Sequence, residues 1–316
     1  MIAPIPGKTP RTAPARTNAA AAVLAVVLAT VISGMVSAAR FPLQGDLIGT
    51  VGTHVISEEE TLLDIARQYE LGYVELRAAN PSIDPWLPGS KTEVLLPGAH
   101  LLPDAPRRGI VINLADQRLY YFPKGARTVV TFPIGTPRDG AMTPIGTTTI
   151  VDKRPNPTWF PPPSLRAENP DLPESVPPGP DNPLGAFALS LGWPSYVIHG
   201  TNKPDGVGRR VSHGCIRLYP ENIEALYPTV PVGTTVTTVD QPVKLGTADG
   251  VLYLEVHPVQ AEVDEVEADG AVESPAPLSV ETYVRAKAGG LLDRVDWPLV
   301  ERTAHERRGL PVRITP

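Results

Sequence analysis

Cys215 is the only cysteine in the chain, and His213 stands two residues before it. A thiol is a weak nucleophile until something takes its proton or stabilises the thiolate, and a nearby imidazole does both. A second histidine, His199, ends the apolar run Tyr196-Val197-Ile198, which reads as a buried strand. The connection Asn202–Gly208 is rich in turn signals that would fold His199 back beside the thiol. Gly214, just before the cysteine, lets backbone N–H groups approach a substrate oxygen, as an oxyanion hole requires. This is the equipment of an activated thiol attacking a carbonyl, and such a thiol should alkylate faster than a free one at neutral pH.

Two blander assignments compete. His199, His213 and Cys215 carry the N and S donors that zinc takes, but the chain has no second cysteine and no further histidine nearby to close such a site. A lone cysteine is also often a buried hydrophobe, although one flanked by a glycine and preceded by two histidines fits that poorly.

The two-part pattern His199-Gly200-Thr201 and Ser212-His213-Gly214-Cys215-Ile216-Arg217-Leu218 resembles the signature of L,D-transpeptidases of the YkuD type. The resemblance implies that Cys215 attacks an amide carbonyl, with His199 as general base and later as acid to the leaving amine. It sets the Gly200 carbonyl against the other ring nitrogen of His199, His213 beside the thiolate, and the N–H groups of Gly214 and Cys215 on the oxyanion. Many relatives carry asparagine where this chain has Arg217, which is similar to the Gram-negative branch; the arginine would grip a substrate carboxylate or pin the loop. Ser212, Thr201, Trp159 and Tyr196 are the further candidates for substrate contact. The implied donor is a peptidoglycan tetrapeptide stem that loses D-alanine. The acyl group then passes to the lysine of a Braun-type lipoprotein, to a neighbouring stem, or to water, the last making a carboxypeptidase. The resemblance also implies acylation by carbapenems. A non-catalytic wall-binding protein is the alternative from a different class. No cofactor motif is present.

These residues need a scaffold. From Gly109 onward, short runs suited to strands recur: 110–114, 118–122, 128–132, 147–151, 186–191, 196–199 and 234–239. Turn signals between them predict a mainly β catalytic domain over 108–240, a closed or sandwiched sheet with one short helix at 220–226. Residues 154–183 form a long proline-rich insertion, read either as a lid whose Trp159 and Phe160 face the cysteine or as a loop that Trp159 packs down. Asp181–Gly185 would fix its exit.

Before this domain, 53–98 reads as strand, helix, helix, strand, with a capping-box start at Thr61. It resembles a LysM module, which implies glycan binding between the loops 58–61 and 80–84, with Thr61, Asn80 and Ser82 as candidates. After it, 241–316 reads as one strand plus helices, with an acidic, solvated stretch at 262–273. His54, His100, His257 and His305 lack partners nearby in sequence and read as surface or packing residues.

The N-terminus suggests export. Lys8, Arg11 and Arg16 precede an apolar run from Ala19 to Ser37, and Val36–Ala38 offers a cleavage site. Residues 1–38 would be a signal peptide or an uncleaved anchor, and either places the remainder in the periplasm, with membrane contact only through an anchor. A net charge of −6 leaves no footprint for nucleic acid.

Overall fold

The computed structural model describes residue 1, residues 40–138 and residues 140–316. The leader expected over 1–38 lies outside the described residues beyond Met1. Among the described residues no helix is long and apolar enough to cross a membrane.

The strands expected over 108–240 join one mixed sheet of nine strands among the described residues. Their order is Arg40–Pro42, Thr128–Pro133, Arg118–Phe122, Gly109–Asn113, Thr235–Val239, Gly146–Pro155, Phe187–Leu191, Val197–His199 and Ile216–Arg217. Both faces of its central strands are covered. Ile110, Ile112, Leu119 and Phe132 pack into one core with Leu189, Ile198 and Ile216. Val111, Tyr120, Phe122 and Val129 pack on the other side against Ile48 and Leu102. That is why Ile110-Val111-Ile112 is continuously apolar rather than alternating. The helix Pro220–Leu226 starts on proline, which suits its first turn, and covers the first core with Ile223 and Leu226.

The sheet curls toward closure without a full closing strand pair. Gly135, just past the strand Thr128–Pro133, meets Arg217 at the far end of the sheet through two backbone bonds of 2.8 and 3.1 Å. The strand Arg210–Ser212 extends this contact by pairing in parallel with Thr136–Pro137.

Residues 52–96 run strand, helix, helix, strand. Gly52–Val55 pairs antiparallel with Glu93–Leu96, and the helices are Leu62–Gln68 and Tyr73–Ala79. Their core is completed from the other end of the chain by Val263 and Val266. The acidic stretch expected to be solvated is therefore partly a packed helix, Val263–Asp269. Charge density concealed its two apolar positions, three residues apart and so on one helical face. Its carboxylates find cations from elsewhere: Glu262 pairs with Arg307, and Glu267 with Arg209.

The tail contains more strand than expected. Val243–Ala248, Val251–Val256 and Val312–Arg313 form a sheet, and the helices Val280–Lys287 and Trp297–Glu306 pack on it. Buried charges tie this tail, the sheet and the N-terminal helices together. Glu75 meets Arg118 at 2.6 Å, while Lys244 meets Asp116 at 2.7 Å and Glu255 at 2.6 Å. His257, expected at the surface or in packing, lies buried 2.6 Å from Glu255.

Candidate active site

The two halves of the motif lie on adjacent parallel strands. Ile198 is registered with Ile216, and His199 with Arg217. Parallel neighbours cannot be joined by a tight hairpin, so the chain must make an excursion between them. It runs through the short turn Pro204–Gly206 and the strand Arg210–Ser212 before Cys215 enters the last strand. His199 thus stands at the end of one strand and Cys215 at the start of its neighbour.

His199 is 4 % exposed, and its Nδ1 lies 2.6 Å from the carbonyl oxygen of Gly200. An N–H on Nδ1 donates to that carbonyl, which leaves Nε2 with the lone pair a base needs. Burial first, then the Arg217 guanidinium, lower the imidazole pKa to about 3, against the opposing effect of the Gly200 carbonyl. The Cys215 thiol donates to the Ser195 carbonyl at 3.6 Å. Burial pushes this thiol up, although the Val197 backbone and Arg217 both favour the thiolate. The resting pair is therefore neutral thiol and neutral imidazole. Fast alkylation at neutral pH, expected from the residue types alone, does not fit this electrostatic setting, because the thiol is desolvated and the neighbouring imidazole carries no charge to stabilise a thiolate.

Gly214 needs to be glycine. Its φ is +119°, and an added Cβ would lie 3.0 Å from the Tyr196 ring. Its carbonyl accepts from Thr143 Oγ1 at 2.8 Å, and its N–H faces Ser212 Oγ at 3.3 Å. Ser212 is buried, and its hydroxyl donates to the Cys215 carbonyl at 2.6 Å, bracing the turn that carries Cys215. Thr201 is buried too, its hydroxyl accepting from the Lys203 N–H at 2.9 Å. Tyr196 donates to the Met142 carbonyl at 2.9 Å.

His199, His213, Cys215, Arg217, Ser212 and Tyr196 line one cavity of about 670 Å³. The insertion forms its other wall through Trp159, Phe160, Pro161–Pro163 and Leu165. Trp159 also forms a bridge to Val176, so it both packs the insertion and borders the cavity. Phe160 is 68 % exposed at the rim. Asn182 locks the insertion at its base. It is fully buried, its amide donating to the carbonyls of Pro157, Val176 and Pro177 and its oxygen accepting from Leu184 N–H.

Arg217 is half-buried in this cavity. Among the described residues, no hydrogen-bond partner reaches its buried Nε. Its backbone is fixed by Gly135, so the free capacity is in the guanidinium.

Sequence reasoning did not find Glu168 or Arg138. Glu168 ends the helix Pro163–Glu168 of the insertion and lies 3.3 Å from His213 Nε2. Arg138 holds the same carboxylate oxygen at 2.5 Å. Nothing in the local pattern marks either residue, since their pairing depends on how the insertion folds back.

The three glycan candidates differ in placement. Thr61 caps its helix, exchanging bonds with Asp64. Asn80 is buried, bonded to Leu76 O and to both backbone groups of Leu95. Ser82 is exposed and lines a cleft of about 700 Å³ with Pro81, Ile83, His305 and Arg308. Asp116, Glu255 and His257 bring potential ligand atoms within 4.8 Å of one another, but the Lys244 ammonium already bridges the two carboxylates there.

Comparison with known proteins adds ancestry to this geometry. Residues 107–238 match the YkuD L,D-transpeptidase catalytic domain. The chain is 42 % identical over 290 residues to the probable L,D-transpeptidase YbiS of Escherichia coli strain K12, covering 88 % of this chain and 92 % of that protein. The chain belongs to the L,D-transpeptidase family. This L,D-transpeptidase is also 40 % identical over 290 residues to the probable L,D-transpeptidase ErfK/SrfK of the same strain, covering 88 % of this chain and 91 % of that protein. Among solved structures, an Enterococcus faecium L,D-transpeptidase aligns with a TM-score of 0.34 and 21 % identity, over 42 % of this chain and 49 % of that one.

Proposed function

We propose that this L,D-transpeptidase uses Cys215 to cleave peptidoglycan tetrapeptide stems, releasing D-alanine and passing the acyl group to an amine. The observation that carries this is His199, held neutral with Nδ1 on the Gly200 carbonyl, in the cavity that also contains Cys215.

The steps follow from that resting state. As Cys215 Sγ bonds to the carbonyl carbon of the stem's third residue, its proton passes to His199 Nε2. The Gly200 carbonyl holds the ring in place as the third member of a triad would. The oxyanion is met by the backbone N–H of Cys215, joined by that of Gly214 once it gives up its bond to Ser212 Oγ. The carbon–nitrogen bond then breaks, the nitrogen takes the proton from His199, and D-alanine departs. The thioester is next attacked by an amine, from a Braun-type lipoprotein lysine or a neighbouring stem; attack by water would make a carboxypeptidase instead.

Arg217 is proposed to bind a carboxylate of the donor stem. Its unmatched Nε in a half-buried cavity supports this, because a guanidinium favours paired hydrogen bonds to carboxylate. The strand–helix–helix–strand segment at 52–96 resembles LysM modules, and we propose glycan binding there, with exposed Ser82 as the accessible member of the candidate set. Action in the periplasm after export through residues 1–38 completes the proposal.

Protein lacking residues 1–38 should be incubated with tetrapeptide muropeptides and a short peptide ending in lysine, and the products weighed. Loss of D-alanine with a tripeptide–lysine adduct or a stem–stem dimer is expected. Retained D-alanine release by Cys215→Ala would sink the mechanism.

A further inference from the structure

The mechanism above uses one of the two motif histidines. His213 lines the same cavity, and its Nε2 is 3.3 Å from Glu168 Oε2. Glu168 is the last residue of the helix in the insertion, and Arg138 holds the same carboxylate oxygen at 2.5 Å. The backbone N–H of Arg138 donates in turn to the Ser212 carbonyl at 3.0 Å, beside His213. The insertion thus delivers a carboxylate to the imidazole that stands two residues before the nucleophile.

Proton balance gives this contact a use. In the first half of the proposed reaction, the thiol proton passes through His199 to the leaving nitrogen. His199 is then neutral again. In the second half, the acceptor arrives as an ammonium, because alkylamines hold their proton to about pH 10. It must lose one proton before its lone pair can attack, and a second as the amide forms. The departing thiolate takes back one of these through His199. One proton remains. His199 is poorly placed to keep it, being buried and close to the Arg217 guanidinium. The reaction therefore needs a second base open to solvent, and His213 is exposed.

We propose that His213 and Glu168 form the acceptor-side base of the transfer step. His213 Nδ1 takes the surplus proton from the incoming ammonium, while Glu168, accepting from Nε2–H, fixes the tautomer and balances the imidazolium until solvent removes the proton. Glu168 is a positioning residue in this scheme, acting through His213. This rests on the proposed reaction being transfer to an amine.

The two half-reactions can be timed separately in Glu168→Gln. The burst of D-alanine from tetrapeptide muropeptide reads acylation. Product formation reads transfer to two acceptors at neutral pH: a lysine peptide, which is protonated, and hydroxylamine, which is not. The variant should keep the burst within about twofold. Its transfer to the lysine peptide should fall by about tenfold or more, a modest share of what acid–base catalysis contributes. Transfer to hydroxylamine should be unchanged, and raising the pH until the lysine amine is free should restore the rate. Equal loss with both acceptors would mean that Glu168 only holds the insertion in place, and would overturn the proposal. So would an unchanged rate with the lysine peptide. A wild-type protein that shows a burst but transfers only to water would remove the need for an acceptor base. Absence of any burst would remove the proposed reaction itself, and this inference with it.

Discussion

The backbone N–H of Val74 donates to the carbonyl of Gly208 at 3.0 Å, joining the N-terminal helices to the loop that separates His199 from Cys215. Gly208 also donates to the Ile134 carbonyl at 3.1 Å, so the loop is held between the helices and the sheet. The N-terminal segment is a brace for the loop between His199 and Cys215 as well as a candidate binding module.

Gly208 has a φ of +73°, and an added Cβ would lie 2.2 Å from Tyr73 N. Gly208→Ala should lower the stability by at least about 1–3 kcal/mol from backbone strain alone. Thermal unfolding should show a lower midpoint, and D-alanine release should fall as the loop detaches.

The buried Glu75–Arg118 pair predicts strong coupling between the N-terminal helices and the sheet. Glu75→Ala should destabilise by about 3–5 kcal/mol, because it leaves Arg118 buried without its carboxylate. Glu75→Leu combined with Arg118→Met should cost less than either single change. Urea unfolding of the wild type and these four variants checks this, and the wild type should unfold in one transition rather than module by module.

Cys215 should alkylate slowly at neutral pH, with a titration midpoint above that of an ordinary cysteine, because burial disfavours its thiolate. Arg217→Ala removes a cation that favours the thiolate, so it should move the midpoint higher still. Iodoacetamide rates across pH for the two proteins test both statements.

Protonation of His199 links stability to pH. Its pKa falls from 6.5 to about 3 on folding, so the unfolded chain binds this proton first. The stabilising contribution is full above pH 6.5 and is lost as the pH falls toward 3. His199→Gln should remove that part of the acid slope, seen as a difference between urea midpoints of the two proteins across this window.

Asn182 should govern the cavity wall more than the global fold. Asn182→Ala leaves the Pro157 and Pro177 carbonyls and the Leu184 N–H without their partner, while the Val176 carbonyl keeps the Trp159 N–H, a local cost of about 1–3 kcal/mol. The expected result is faster proteolytic nicking within residues 156–181 and a raised KM for the stem, with a smaller change in the thermal midpoint.

Much of the catalytic centre was legible in the chain because it depends on local order. His199-Gly200 and Ser212–Arg217 are contiguous pieces, and the hydrophobic pattern placed a strand under the first; the short strands Arg210–Ser212 and Ile216–Arg217 that carry the second appeared only in the structure. The helix Pro220–Leu226 was readable from the proline at its start. The Thr61 cap was readable for the same reason, since both partners lie within one turn.

The sequence by itself determined the residue types at the site, the strand that ends on His199 and the family they point to. Tertiary structure decided the charge state of the Cys215–His199 pair, because desolvation and the Arg217 field are properties of the packed interior. It alone could match Glu168 with His213, Glu75 with Arg118, and Lys244 with Asp116 and Glu255. Each of these contacts joins groups far apart along the chain. Local patterning encodes which face of a strand or helix is apolar, but it carries no record of which distant charge will be buried beside it.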